Sequence, residues 1–217
     1  MPFSAFPHSE GRQIRHDADL RAKIAANLAG FERLSRPAAG LKGAAVAITV
    51  LDDGSGNAAF LLTRRSSQLR SHSGQWALPG GRLDGNEEAV AGALRELEEE
   101  VGLKPGSQNV LGVLDDYPTR SGYLITPIVV WIDEVSFDLN PDEVVRVYPI
   151  PLAELMRDDS PEFVDIPESD RPVLRMPLAE RHLNAPSAAY LYQFREVALN
   201  GRVIRVAHYE QPVFAWE

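Results

Sequence analysis

Glu96, Glu99 and Glu100 are the residues of this 217-residue chain whose types and spacing are best suited to chemistry. They lie in Glu87–Val101, where apolar residues recur at helical spacing. On a helix turning about 100° per residue, Val90, Ala93, Leu94, Leu97 and Val101 share one face, which must meet a core. The three glutamates share another face within an arc of about 100°. Their i,i+3 and i,i+4 spacing makes the carboxylates neighbours. Ala89 and Gly92 continue that face toward the N-terminus and are small enough for a loop to pack closely. The arrangement is poor for stability, because like charges at i,i+4 repel by roughly a few tenths of a kcal/mol. The glutamates also sit at the negative end of the helix dipole. From Glu87 to Glu100 there are six Glu and one Arg, a local charge of −5 in a chain of formal charge −9. Hard divalent cations such as Mg²⁺ or Mn²⁺ would relieve this, since they favour clustered carboxylate oxygens. A solvated acidic face is the alternative for a Glu-rich helix taken by itself.

The flanking residues decide between the two. Gly81, Glu87, Arg95, Glu96, Glu99, Glu100 and Gly102 fit the pattern G-x5-E-x7-R-E-U-x-E-E-x-G-U, with Leu97 and Leu103 at the apolar positions U. At ordinary residue usage, a chance match to the seven fixed positions is on the order of 10⁻⁸ to 10⁻⁹ per starting position. This pattern resembles the signature of the Nudix hydrolases. The resemblance implies a loop–helix–loop that binds divalent metal and cleaves a nucleoside diphosphate linked to another moiety. Glu99 and Glu100 are then metal ligands, and Glu96 is a ligand or the base for water. Arg95 orients the carboxylates, with Glu87 as its partner. Pro79-Gly80-Gly81 lets the backbone turn tightly so that a carbonyl, that of Gly81, can face the metal. Glu98 points away from this face and reads as solvated.

Leu61–Gly81 (LLTRRSSQLRSHSGQWALPGG) carries a second resemblance, to the coenzyme A pyrophosphatase branch of the same family. Its pattern, L-L-T-x-R-[SA]-x3-R-x3-G-x3-F-P-G-G, is matched at Leu61, Leu62, Thr63, Arg65, Ser66, Arg70, Gly74, Pro79, Gly80 and Gly81, with Leu78 in place of Phe. Arg64, Arg65, Arg70 and Arg82 cluster beside the acidic helix. They are candidate substrate contacts, because Arg holds phosphate through paired hydrogen bonds and coenzyme A carries a 3′-phosphate besides its diphosphate. Salt bridges to the glutamates are the alternative for each. Residues 114–129 and 140–147 also resemble this branch, with Glu143 as a further metal ligand or base. The resemblance covers residues 20–150; the sequence beyond departs from it. The implied reaction cleaves coenzyme A (CoA) or an acyl-CoA to 3′,5′-ADP and (acyl-)4′-phosphopantetheine. The alternatives are hydrolysis of ADP-ribose, a dinucleotide or a modified nucleoside triphosphate, or a nucleotide-binding domain without turnover.

The rest of the chain must position these groups. Hydrophobic residues make up 44%, enough for a core. The negative balance, 22 Lys+Arg against 31 Asp+Glu, argues against a nucleic-acid surface. No cysteine is present, which excludes a thiolate site and suits a cytoplasmic location. Neither a membrane span nor a secretory signal is expected, since the longest apolar stretch, Leu124–Ile132, is short and interrupted. The expected partner is a CoA-like small molecule, with a homodimer allowed.

Residues 1–15 read as a loose arm and His16–Ser35 as a helix ended by Pro37. Ala44–Leu51 and Ala59–Arg64 read as a hairpin around Asp52–Asn57, and 65–86 as mostly loop. Strands are expected near 109–116, 122–132 and 144–147, and a short helix over Leu152–Arg157. Residues 158–186 read as irregular. Ser187–Leu199 fits either period, and Ser187 as N-cap with Asn200-Gly201 as exit favours a helix. Arg202–Tyr209 reads as a strand. The expected fold is α+β, a Nudix α/β/α sandwich with a mixed sheet. Its divisions are an N-terminal arm and helix (1–40), a core (41–157) and a C-terminal extension packed on that core (158–217).

Overall fold

The computed structural model describes residues 13–66, 75–178 and 181–216. Arg70, Gly74 and the arm before residue 13 therefore lie outside the described residues. The centre is a mixed sheet built on β1 (Lys42–Asp52), with β2 (Ala58–Arg65) antiparallel on one side. On the other side lies β7 (Tyr123–Trp131), parallel to β1 from Lys42↔Tyr123 to Val50↔Trp131. The strands β3 (Trp76–Ala77), β5 (Val110–Val113) and β8 (Val144–Pro151) extend it, and β4 (Gly80–Arg82) and β6 (Tyr117–Pro118) pair onto β1 and β7.

The apolar runs are near-continuous because both faces of the sheet are covered. Ile48 and Val50 of β1, Phe60 and Leu62 of β2, and Val129 and Trp131 of β7 point to one layer. Ala45, Ala47 and Leu51, with Ala59, Leu61, Ile128 and Val130, point to the other. The first layer is closed by α1 (Ala18–Ala29) through Ile24 and Leu28, and by α4 (Ser187–Phe194) through Leu191 and Phe194. The second is closed by α2 (Ala89–Val101) through Ala93, Leu97 and Val101. This is the expected α/β/α sandwich, and β1, β2, β5, β7, β8, the α2 helix and the short α3 (Leu152–Leu155) fall where expected, while the short β3 and β4 lie in the segment 65–86 that reads as mostly loop.

Four local expectations are corrected. The first helix stops at Gly30 rather than running to Ser35. Beyond it the backbone is captured by two buried acids, with Leu34 N donating to Asp115 Oδ1 at 2.7 Å and Arg36 N to Asp116 Oδ2 at 2.8 Å. Residues 158–186 are not irregular: β9 (Glu162–Ile166), β10 (Ser169–Leu178) and β11 (Arg181–Asn184) form a three-stranded antiparallel sheet. Proline and aspartate hid the alternation, and Pro172 falls where the β9–β10 register shifts. Ser187 opens α4 without a capping bond from its side chain, the boundary residue being Pro186, while the exit through Gly201 at φ 67 holds. The helix continues through a π turn, Arg195–Leu199. Finally, Arg202–Tyr209 forms no strand, because long-range side chains claim its polar groups. Gln193 donates to Ile204 O at 3.0 Å, and Arg205 reaches back to Asp115. No helix among the described residues is long and apolar enough to cross a membrane.

Candidate active site

The acidic helix is held against the sheet by its apolar face and ends in a left-handed residue, Gly102 at φ 74. A Cβ at this position would also collide with Asp138. Upstream, β4 is laid across the glutamate face. A Cβ on Gly81 would overlap the Glu96 carboxylate, so a larger residue there would push that carboxylate from its place. Gly92 does the same for Leu83, which fills the place of a side chain there and bears out the close loop expected at this face.

Three carboxylates converge. One oxygen each of Glu96, Glu100 and Glu143 lies within 4.8 Å of the others. Glu96 and Glu100 come from one face of α2. Glu143 comes from the turn before β8, fixed by Ser66 N donating to Glu143 O at 2.8 Å and by Asn140 N donating to Glu100 O at 3.1 Å. Glu100 is 1% exposed. Its Oε1 accepts from Arg65 Nη1 at 3.1 Å, while its buried Oε2 has no hydrogen-bond partner. Burial, with repulsion from Glu96 and Glu143 added, pushes the Glu100 carboxyl up to about 8 against the attraction of Arg65. Glu96 is raised as well, by burial first, then opposed by Arg95 and pushed further by Glu99 and Glu143.

Arg95 ties the remaining acids. Its Nε and Nη2 grip Glu87 with two bonds of 3.0 Å, and its Nη1 reaches Glu96 at 3.0 Å and Glu99 at 2.7 Å. Nη2 also donates to Arg82 O at 3.0 Å, pinning β4. Arg95 is thus raised and Glu87 lowered, each by their mutual hydrogen bonds. Glu99 stands outside the group of three: half-exposed, it faces Arg95. Glu98 is solvated and pairs with Lys104. Two guanidiniums, Arg65 and Arg95, pair with four carboxylates, and Glu143 adds a fifth, so the site holds a surplus of negative charge.

That surplus fits a hard cation. The donors are carboxylate oxygens, one is an unpartnered buried atom, and unpaired buried charge is costly without a counter-ion.

The expected arginines separate. Arg65 is the counter-ion of Glu100. Arg82 is exposed and lies over the Tyr123 ring at 5.2 Å. Arg64 is exposed in β2 opposite Trp76 and does not line the cleft. Arg70 is outside the described residues. The cleft itself, ≈ 530 Å³, starts at Arg65, Gly80 and Gly81 and passes Arg82 and Tyr123. Its far wall is Pro186, Ser187, Tyr190, Gln211 and Ala215. The sequence reading missed these residues: they belong to no motif, and only the aromatic tail Phe214–Trp216 hinted that this segment has a surface to cover.

A family model, the NUDIX domain, matches residues 41–189. The chain therefore belongs to the Nudix family. It is 44% identical over 109 residues to the uncharacterized Nudix hydrolase NudL of Photorhabdus laumondii, covering 49% of this chain and 58% of the relative. It is 43% identical over 99 residues to NudL of Escherichia coli K12, covering 45% of this chain and 52% of the relative. The chain thus spans about half the length of the curated relatives it matches. Among solved structures, a MutT/nudix family protein from Enterococcus faecalis superposes with a TM-score of 0.53 at 18% identity, over 78% of this chain and 65% of the other, a likeness of fold.

Proposed function

We propose that this protein is a divalent-metal-dependent diphosphatase that hydrolyses CoA or an acyl-CoA to 3′,5′-ADP and (acyl-)4′-phosphopantetheine. The observation that carries the hydrolytic reading is the convergence of Glu96, Glu100 and Glu143 around an unpartnered buried carboxylate oxygen. CoA is supported by the match over Leu61–Gly81.

Glu100, Glu96 and Glu143 would hold Mg²⁺ or Mn²⁺, with Glu99 and the Gly81 backbone at the edge of the set. When bound, such an ion neutralises the diphosphate and acidifies a nucleophilic water. The chain supplies the rest. Arg95 fixes the orientation of Glu96 and Glu99 by charge-assisted bonds that leave the carboxylates little rotational freedom. A carboxylate of the group takes the proton of the attacking water, whose oxygen bonds to one phosphorus as the bridging P–O bond breaks. Arg82 stands at the cleft wall where a phosphate oxygen needs a donor. Arg65 holds Glu100 in place.

The test is a screen of CoA, acyl-CoA, ADP-ribose, dinucleotides and modified nucleoside triphosphates with Mg²⁺ and with Mn²⁺, products being identified by mass. CoA should give 3′,5′-ADP, and excess EDTA should abolish turnover reversibly. Undiminished rates in EDTA would sink the metal mechanism. Efficient cleavage of ADP-ribose with none of CoA would keep the diphosphatase and discard the substrate.

A further inference from the structure

The cleft does not stop beside the acidic helix. Past Trp76 it opens into a second recess of ≈ 330 Å³, walled by β11 and the C-terminal segment. The two spaces share Gln75, Trp76, Pro186, Ser187 and Ala215, so they form one continuous surface. At this end Arg181 lies over the Trp76 ring at 5.5 Å. Trp76 is itself backed by Tyr148, with ring centroids 5.1 Å apart.

Two side chains of β10 and β11 near Arg181 face one carboxylate. Arg175 pairs with Glu162, and His182 stands 3.4 Å from the same carboxylate. Arg181 has no carboxylate partner among the described residues, in a chain of formal charge −9. A guanidinium lying on an indole engages through its face. Its in-plane N–H donors stay available to an anion, and the ring restricts the rotamers it would otherwise have to lose. An arginine seated in this way is preorganised for a forked contact with a phosphate.

We propose that Arg181, seated on Trp76, is a subsite for a substrate phosphate lying outside the diphosphate that is cleaved. The proposal deepens the CoA reading and rests on it for the identity of that group, the 3′-phosphomonoester. The neutral pantetheine arm has no use for a lone cation, so the adenosine 3′-phosphate end is the one directed into the recess. The contact comes from the C-terminal part of the chain, beyond the stretch whose sequence resembles the CoA-cleaving branch.

The experiment uses the full chain and its Arg181→Gln and Arg181→Lys variants. Binding of 3′,5′-ADP and of 5′-AMP is measured calorimetrically with Mg²⁺, alongside kcat and KM on CoA and on 3′-dephospho-CoA. The wild type should prefer 3′,5′-ADP over 5′-AMP by about ten- to hundredfold, the scale of one charge-assisted pair. Arg181→Gln should lose most of that preference through weaker 3′,5′-ADP binding alone, with KM for CoA raised, kcat within about twofold and the melting temperature unchanged. Arg181→Lys should recover part of it. An Arg181→Gln variant that keeps the full preference, or that weakens both nucleotides equally, overturns the proposal, as does a wild type that does not prefer 3′,5′-ADP. The underlying reading fails separately. Arg181-dependent discrimination in a protein that does not cleave CoA keeps the subsite and removes CoA. Cleavage of CoA without any 3′-phosphate preference does the reverse.

Discussion

Two glutamates of this protein are both shielded from solvent contact, Glu100 the deeper of the two, and they are oppositely treated. Glu100 and Glu210 are each 1% exposed. Glu210 accepts from Arg120 Nη2 at 2.6 Å, Arg171 Nη2 at 2.7 Å, Ser169 Oγ at 3.0 Å and Gln211 N at 3.0 Å. Burial alone would raise its carboxyl, yet these donors outweigh burial and pull it down to about 2. Glu100 has one arginine and the Gly80 amide against two acidic neighbours and an oxygen with no hydrogen-bond partner, and burial carries it up to about 8. Asp115 belongs with Glu210: Arg205, Gln193 and the Leu34 amide saturate it. A buried carboxylate whose lone pairs are filled from within the chain is architecture, because removing its charge strands the donors. One left underfilled by its own fold, as Glu100 is, has the donor chemistry that fits a hard cation.

The comparison can be broken at either end. The largest effect is expected for Glu100→Gln, which keeps the shape and removes the charge. We expect kcat to fall by about 10²-fold or more, as when a transition-state electrostatic contact is lost, with no loss of metal-free stability. A variant with near wild-type kcat would show that Glu100 does not hold the ion. Glu210→Gln should do the opposite. Urea denaturation should show a loss of about 1.5–3 kcal/mol, the scale of hydrogen bonds to a charged group, since its arginines are half-exposed and regain water. If Glu210→Gln were neutral while Glu100→Gln destabilised the fold, the roles assigned here would be reversed.

The smallest effect is a slope with pH. Between the ordinary carboxylate range and about 8, native Glu100 binds a proton that the unfolded chain releases. Metal-free stability should therefore fall as pH rises through that window, by no more than about 1.4 kcal/mol per pH unit. Glu210 has the reverse sign in a separate window: its stabilisation is complete above the ordinary carboxylate range and is lost as pH drops toward about 2. His16, lowered by burial, adds a rise with pH on the acid side of neutrality. The informative quantity is thus the melting temperature of the wild type minus that of Glu100→Gln, followed by fluorimetry with and without Mg²⁺. The difference should fall toward alkaline pH in EDTA and flatten with the ion, which takes the place of the proton. A pH-independent difference in EDTA would mean that Glu100 is already ionised in the metal-free fold.

Sequence was most informative where the determinants are local. The α2 face, its Gly102 exit and the runs of β1, β2 and β7 follow from spacing and from burial on both sides of a sheet. Glu143 was found only as a downstream acid, and its convergence with Glu96 and Glu100 needed the β2–β8 register. Determinants far apart in the chain stayed hidden. The end of α1 depends on Asp115 and Asp116, and the irregular path of 202–209 depends on Gln193 and Asp115. The β9–β11 sheet was masked by prolines that are tolerated at its strand ends and register shift. Trp76 reads as one more aromatic near a loop until Arg181 is placed over it.

The α1 helix and the segment near residue 198 meet although they lie far apart in the chain. Asn27 of α1 donates to Ala198 O at 2.9 Å, and Ile24 and Leu28 share a cluster with Phe194, Val197 and Ala198. The α1 helix thus finds its partner only after the residues near 198 have been made. A nascent chain carrying the complete glutamate motif still lacks α4, whose Leu191 and Phe194 help to close one side of its central sheet. We therefore expect the apolar underside of β1, β2 and β7 to stay open to chaperones until the residues near 198 have left the ribosome.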